Sequence, residues 1–351
     1  MSLDVSQGLI FELSFASLVA VCAANAHTLR ELRLGTSFDP TQLGDLLRAA
    51  PSLQLLETEV LFYNEPEACQ VLRREGHFAP VQLRAMYQVG VWDDDERLFE
   101  FMAACGAQAS LRCIRLSGGL SGSRAALEAV VDASISAQVE DLCLDGRWPR
   151  NSSGVNAASV PALTRLLSTS TWLTRLGVRN KNAEPMTDAP AAQALVAALR
   201  SNRTLRCLEL TGIMLWRDMG VAEALLGALV GHPSLEKLSL VDEEIPAGED
   251  ADAAGVMLAA LIAANAPALR TLSIIEIPLG DACLRPLVDA LPGNTHLTTL
   301  LIDECGMSDG FARVQLLAAV RANASLRDLY TGLDAAAAAE DFVDARTAAA
   351  Q

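Results

Sequence analysis

The sequence lacks the motifs that carry most enzyme chemistry. It has no phosphate-binding G-x-x-x-x-G-K-[ST] loop, no G-x-G-x-x-G turn after a strand, no zinc-binding H-E-x-x-H and no G-x-S-x-G nucleophile turn. Its four histidines lie far apart along the chain, and we expect His232 and His296 to be solvated turn residues. We therefore predict a protein that is not an enzyme and holds no cofactor and no metal.

Disulfide and zinc patterns are also missing. The eight cysteines form no C-x-x-C pair and show no metal-ligand spacing with the histidines. Several of them, such as Cys113, Cys143 and Cys207, fall within the hydrophobic repeat described below. This distribution indicates reduced thiols in a reducing compartment rather than a disulfide framework.

Long apolar runs are scarce as well. No stretch reaches the roughly 20 apolar residues that a membrane-spanning helix needs. Residues 9–26 resemble a signal peptide, but Asp4 stands where a basic residue is expected and Glu12 interrupts the apolar run. We expect the chain to be cytoplasmic, or exported into a host cytosol without a cleaved signal peptide, and we predict no membrane partner.

Basic residues are outnumbered. The chain has 27 Lys and Arg against 43 Asp and Glu, which gives a formal net charge of -16. This charge argues against nucleic acid or an anionic membrane as the main partner, because both would repel the chain. It is compatible with a protein partner that has a basic surface.

A repeated L-x-x-L-x-L pattern is the dominant feature of the sequence. Eleven candidate units follow one another at steps of 24 to 34 residues, and such a period is typical of a solenoid. Clear units begin at Leu29, Leu111, Val139, Leu173, Leu205, Leu235, Leu269 and Leu297, and weaker units begin at Leu53, Leu83 and Leu326.

Each unit predicts a strand, a loop and a returning helix. In Leu205–Leu210 apolar and polar residues alternate, as in a strand with one buried face. In Ala191–Ser201 apolar residues recur at helical spacing. Stacked units would bury a Leu- and Ala-rich core between an inner parallel sheet and outer helices, an α/β horseshoe. We predict one domain, with a capping helix over 1–28, repeats over 29–332 and a second capping helix over 333–351.

This pattern resembles the leucine-rich repeats of the ribonuclease-inhibitor subfamily. The resemblance rests on a step of about 28–30 residues and covers roughly residues 18–332. The family usually has Asn or Cys three positions beyond the third Leu, whereas this chain has Cys305 in one unit and Ile213, Glu243 and Ile277 in others. The loop backbone must therefore be satisfied in another way.

The resemblance implies a monomeric protein-binding module. Many stand-alone repeats of this kind in bacteria are secreted effectors that act on host proteins, and this is the function that the resemblance favours. Two alternatives stay open. Ran GTPase-activating proteins resemble this architecture, although the Ala-rich C-terminal tail fits them poorly. The chain could also be a direct inhibitor of a basic enzyme, whose binding would weaken with salt.

Acidic residues cluster where consecutive predicted strands end. The position after the strand holds Asp242, Glu276 and Glu304, and Glu243 and Asp303 adjoin them. Residues 209–252, which begin with Glu209, contain ten acidic residues and two basic ones. We predict a docking rim for a basic partner at these six residues. The alternative is a solvated edge on a chain that is acidic throughout.

Arginine and tryptophan mark further candidates. Arg115, Arg175 and Arg179 fall on predicted inner-face positions, and arginine is favoured at interface hot spots. They could equally pair with acidic residues of neighbouring strands. Trp148 and Trp216 follow strands and could anchor a partner from the rim or cover the core beneath their loops.

Overall fold

The computed structural model shows a strand-and-helix chain that divides into two compact units. Unit 1 comprises residues 1–154 and 169–175, and unit 2 comprises residues 155–168 and 176–351. The structure describes residues 2–5, 14–38, 40–50, 52, 55–61, 83–86, 113–117, 124–145, 160–179, 189–241 and 249–349. The less regular units of the sequence, residues 53–110, are therefore described only at 55–61 and 83–86.

Unit 1 contains a parallel sheet whose strands follow the order β1-β2-β3-β4. A further parallel pair, β5 and β6, also belongs to this unit. The strands are β1 Ser2–Val5, β2 Glu31–Phe38, β3 Leu55–Leu61, β4 Leu83–Met86, β5 Cys113–Ser117 and β6 Asp141–Asp145. The helices are α1 Phe15–Ala24, α2 Pro40–Ala49 and α3 Arg124–Ser136.

The beginning of the chain differs from the predicted helical cap over 1–28. Ser2–Val5 is a strand that pairs with β2, with Leu3 opposite Leu32. The helix itself is restricted to Phe15–Ala24 and begins after Ser14, whose side chain accepts a hydrogen bond from the Ser17 N–H. The apolar residues at positions 3 and 5 follow period two, which suits a strand at the edge of a sheet.

Unit 2 contains the most regular repeats. Its strands follow the order β7 to β12 and pair in parallel, each with the strand of the next repeat. The strands are β7 Arg175–Arg179, β8 Cys207–Thr211, β9 Lys237–Val241, β10 Thr271–Ile275, β11 Thr299–Asp303 and β12 Asp328–Tyr330.

Helices return the chain between these strands. They are α4 Val160–Thr169, α5 Ala189–Ser201, α6 Met219–Leu229, α7 Glu249–Ala263 and α8 Gly280–Ala290. The helix α9 consists of Asp309–Phe311, a π-helical segment Ala312–Leu316 and Leu317–Ala322, and α10 is Ala337–Ala349. Short 3₁₀ turns occupy Leu215–Arg217, Leu291–Gly293 and Asp334–Ala336.

One face of the unit 2 sheet packs against the helices. The second and fourth residues of each strand, such as Leu208 and Leu210, are buried together with helix residues such as Leu195 and Leu199. Fully burying such a side chain contributes about 1.5–3 kcal/mol. The predicted strand–loop–helix unit is confirmed here, and the described repeats have a leucine-rich-repeat type of fold.

A buried asparagine stands three residues before the first leucine of several units. Asn202 donates from Nδ2 to the Leu167 carbonyl of the preceding repeat at 2.8 Å. Its Oδ1 accepts from the backbone N–H groups of Thr204 and Leu205 at 2.9 and 2.8 Å. The same arrangement is repeated at Asn294 and Asn323. We call these residues the asparagine ties, because each joins two consecutive repeats.

His232 takes the place of an asparagine tie in the repeat that begins at Leu235. Its Nε2 lies 3.0 Å from the Leu199 carbonyl, and its Nδ1 accepts from the Ser234 N–H at 3.4 Å. The Nε2–H tautomer satisfies both contacts. The residue is 3% exposed, and this burial lowers the pKa of His232 below its ordinary value of 6.5. The prediction of a solvated turn residue is therefore wrong for His232.

Two of the loop positions that depart from the family pattern are buried, and the third, Glu243, lies outside the described residues. Ile213 and Ile277 are 2% and 0% exposed, so they extend the apolar core into the loops. Cys305 provides the polar alternative, because its Sγ lies 3.2 Å from both the Ile274 and Asp303 carbonyls. Burial raises the pKa of the Cys305 thiol to about 11.

The C-terminal helix α10 lies against β12 and α9. The Glu340 carboxylate accepts hydrogen bonds from both the N–H and the hydroxyl of Thr331 at 2.8 Å. Arg346 donates to the carbonyls of Asn323 and Leu326. Asp334 begins the 3₁₀ turn that precedes α10. In the part of the chain that the structure describes, no helix is long and apolar enough to cross a membrane.

Candidate partner-binding face

The sheet of unit 2 has a second face, which points away from its helices. Because side chains alternate along a strand, this face carries the first, third and fifth residue of each strand. Its residues on β8 to β12 form what we call the open face: Cys207, Glu209, Thr211, Lys237, Ser239, Val241, Thr271, Ser273, Ile275, Thr299, Leu301, Asp303, Asp328 and Tyr330. Most of these side chains are half-buried, and Tyr330 is 52% exposed, so solvent reaches the face.

The register aligns the open face in rows across the strands. The third strand positions form the row Glu209, Ser239, Ser273, Leu301 and Tyr330. The fifth positions form the row Thr211, Val241, Ile275 and Asp303. Neighbouring residues of a row lie about 4.8 Å apart along the backbone, so their side chains act together on anything that docks.

Glu209 lies between two cations at the start of the open face. Its carboxylate is 3.1 Å from Lys237 Nζ and 3.7 Å from an Arg179 guanidinium nitrogen. The Glu209 side chain is only 10% exposed, whereas those of Lys237 and Arg179 are 41% and 34% exposed. The structure therefore brings the predicted site residues Arg179 and Glu209 together, but as an ion pair rather than as separate charged patches.

Arg175 and Arg115 lie on strands as predicted. Arg175 belongs to unit 1 and lies 3.9 Å from Asp141 of the same unit, which matches the alternative that these arginines pair across strands. Arg115 lies opposite Cys143 in the β5–β6 register, and its side chain lies outside the described residues. A partner-binding role of either arginine stays a prediction.

The acidic rim is described at four of its six predicted positions, one of which is the paired Glu209. Glu276 and Glu304 are exposed and follow β10 and β11 directly, and Asp303 is half-buried. Among the described residues these three carboxylates have no ion-pair partner. Asp242 and Glu243 lie outside the described residues, so the rim around them stays a prediction.

Both glutamates adopt a backbone conformation that favours glycine. Their φ angles are 55° at Glu276 and 51° at Glu304. Gly212 holds the equivalent position after β8 with φ 61°. The left-handed region costs an ordinary residue roughly 1–2 kcal/mol, so each loop is less stable than it would be with glycine at that position.

An apolar cluster on the open face was not predicted. Val241 and Ile275 are neighbours in one row, and Leu301 and Tyr330 are neighbours in the other. The two pairs are diagonal neighbours, because Ile275 on β10 lies opposite Asp303 and Leu301 on β11 lies opposite Ser273. Reading the third and fifth positions of the last four strands together would have revealed it, because the third positions change from serine to Leu301 and Tyr330 and two of the fifth positions are Val241 and Ile275.

Trp216 does not offer a ring to a partner. It lies in the 3₁₀ turn after β8 and is 0% exposed. The turn folds the ring into the core, as in the alternative that this tryptophan covers the core beneath its loop. The prediction of an exposed anchor at Trp216 is therefore wrong. Trp148 lies outside the described residues.

Within the described ranges, no group of three His, Cys, Asp or Glu side chains could hold a metal ion. Among the cysteines whose side chains the structure describes, Cys22, Cys143, Cys207, Cys283 and Cys305 form no disulfide. The open face thus presents hydroxyl, carboxylate and apolar groups, whose combination suits binding.

Comparisons with known proteins give weak likenesses. No protein-family profile matches the sequence, and no curated protein matches it significantly. Among solved structures, the yeast Rad7 and Elc1 complex aligns at 13% identity over 92% of this chain and 77% of that chain, with a TM-score of 0.43. The actin-binding site 2 of leiomodin-1 aligns at 15% identity over 47% and 88%, with a TM-score of 0.35. The tropomodulin C-terminal domain of Caenorhabditis elegans aligns at 11% identity over 53% and 91%, with a TM-score of 0.30.

Proposed function

We propose that this protein is a recognition module that binds a protein partner through the open face and the acidic rim beside it. The observation that carries the proposal is the open face itself. It is an accessible parallel sheet surface with side chains in register, and it belongs to the most regular part of the chain. Large, nearly flat surfaces of mixed polarity suit protein partners better than small molecules, which bind in concave pockets.

The charge of the chain supports a partner with a basic surface. The formal net charge is -16, and exposed carboxylates follow β10 and β11. Opposite charges on two proteins speed their encounter and disfavour wrong partners. We propose that the protein is a monomer that acts in a cytosol. This is either its own cytosol or that of a host into which it is exported as an effector.

We further propose a horseshoe of the ribonuclease-inhibitor type with about eleven units. The helix returning each repeat supports this subfamily, since a full helix is wider than the strand it follows and bends the stack. A curved stack would place the open face on the inner side, where it could embrace a partner.

Site-specific photocrosslinking tests the proposal. A photoreactive phenylalanine analogue is placed at Thr271 on the open face or at Val256, which is 59% exposed on α7. Each protein is irradiated in bacterial and eukaryotic lysates. We expect a discrete protein adduct from position 271 that position 256 does not form. Identical adducts at both positions, or none at position 271, would reject binding through the open face.

A further inference from the structure

The open face changes its chemistry from its first strands to its last. On β8 and β9 it carries the compensated charges of Glu209 and Lys237. On β10 to β12 it carries apolar side chains and carboxylates. No Lys or Arg occupies an open-face position on these three strands, nor the position that follows each of them.

The apolar part, which we call the apolar step, spans four strands. Val241 and Ile275 lie side by side in one row, Leu301 and Tyr330 lie side by side in the other, and Ile275 is the diagonal neighbour of Leu301. Tyr330 is the most exposed of them, at 52%. Aromatic side chains with neighbouring apolar groups are the usual anchors of protein interfaces, so this step can receive an apolar side chain of a partner.

Two serines adjoin the apolar step. Ser239 and Ser273 are 8% and 4% exposed and are neighbours in the row that ends at Tyr330. Neither hydroxyl has a hydrogen-bond partner among the described residues. The main chain of a docked segment would supply such a partner.

Four carboxylates surround the apolar step. Asp303 and Asp328 lie on the open face, and Glu276 and Glu304 follow β10 and β11. None of the four pairs with a described cation. The Asp303 carboxylate lies so close to Gly332 that a β-carbon on that glycine would overlap the carboxylate. A partner that complements these four carboxylates would carry positive charge on at least two sides of the apolar side chain that it inserts.

From these observations we infer that β9 to β12 bind a segment of a partner protein in which an apolar or aromatic side chain is flanked by lysine or arginine. This inference rests on the proposed function and restricts it to one part of the open face. A second copy of this chain is a poor occupant, because its own carboxylates would face these four and repel them.

Selection from a displayed library of short random peptides tests the inference without a known partner. Wild-type protein serves as bait, and enriched peptides are synthesised with a fluorescent label for anisotropy titrations. The face variant is Tyr330→Ala with Leu301→Ala. The charge variant is Glu304→Gln with Asp328→Asn, whose exposed side chains leave the core intact. The matched control is Trp172→Ala, an aromatic residue that is 43% exposed in unit 1.

We expect enriched peptides with Lys or Arg on both sides of an apolar residue. Their dissociation constants should rise about tenfold or more in the face variant. In the charge variant they should rise about threefold or more and depend less on salt. The Trp172→Ala control should bind like the wild type.

Enrichment of acidic or uncharged peptides, or equal affinity for wild type and both variants, would overturn the inference. A further variant, Thr211→Lys on β8, separates this failure from that of the proposed function. Peptides lost only in Thr211→Lys would keep the open face as the binding surface and reject β9 to β12. Peptides insensitive to every variant would reject both, and self-association lost in the face variant would identify a second copy as the occupant.

Discussion

Replacing Asn323 by alanine should be among the most damaging single substitutions in unit 2. Its Nδ2 donates to the Leu291 and Asn294 carbonyls at 2.7 and 2.8 Å. Its Oδ1 accepts from the Ser325 and Leu326 N–H groups at 2.9 and 2.8 Å. The residue is 1% exposed, so water cannot replace the lost amide without rearrangement.

The size of the effect follows from the four hydrogen bonds. A hydrogen bond contributes about 1 kcal/mol net, and a buried group left without its partner costs about 1–3 kcal/mol. We therefore expect the free energy of unfolding to fall by about 4 kcal/mol in Asn323→Ala. A loss this large is a substantial share of the stability of an ordinary domain.

Urea unfolding followed by circular dichroism measures this loss. The matched control is Asn265→Gly, because Asn265 also bonds twice to a neighbouring repeat, through Thr295, but at an exposed site. Its φ of 48° suits glycine, and we expect a loss below about 1 kcal/mol, since water can solvate the freed groups. Equal losses in the two variants would refute the reasoning that buried ties hold the repeats together.

Three further outcomes follow from the geometry. The wild type should lose stability as pH falls below about 6.5, because the unfolded chain binds a proton that the buried His232 ring resists. His232→Asn should remove this loss. Urea midpoints at about pH 7.5 and about pH 5.5 compare the two proteins, and a parallel pH dependence would contradict the expectation. Glu304→Gly should raise the free energy of unfolding by about 0.5–1 kcal/mol, since glycine relieves the left-handed strain but loosens the unfolded chain; a destabilised variant would show that the carboxylate supports the fold. Trp216→Ala should cost about 3–5 kcal/mol in the same assay, whereas a loss under about 1 kcal/mol would fit an exposed ring instead.

The strands and helices of unit 2 follow from local patterns. Alternation at Leu208–Leu210 predicts the strand and its buried side, because a period of two needs no information from elsewhere in the chain. The asparagine ties were harder to recognise. An asparagine before Leu-x-x-Leu looks like an ordinary turn residue, and its bond to the preceding repeat appears only once the units are stacked.

The candidate site was less predictable for the same reason. The ion pairs of Glu209 with Arg179 and Lys237 depend on the register of three strands, which single-strand patterns do not contain. Trp216 was misjudged because alternation stops at the end of β8 and does not show that the next turn folds inward. The apolar step likewise exists only across strands.

The C-terminal helix α10 covers the end of the array of repeats. Between inner repeats, a carbonyl just before one strand accepts hydrogen bonds from N–H groups at the start of the next strand. The Arg206 carbonyl, for example, accepts from the Glu236 and Lys237 N–H groups at 2.7 and 2.8 Å. After β12 the side chains of Arg346 and Thr347 on α10 take over this role. These side chains imitate a further repeat without offering a new edge, and an uncovered edge is what templates the addition of another chain. Extra repeats could therefore be inserted before α9 as long as α10 is retained. Loss of α10 would expose the edge beside β12 and favour end-to-end assembly.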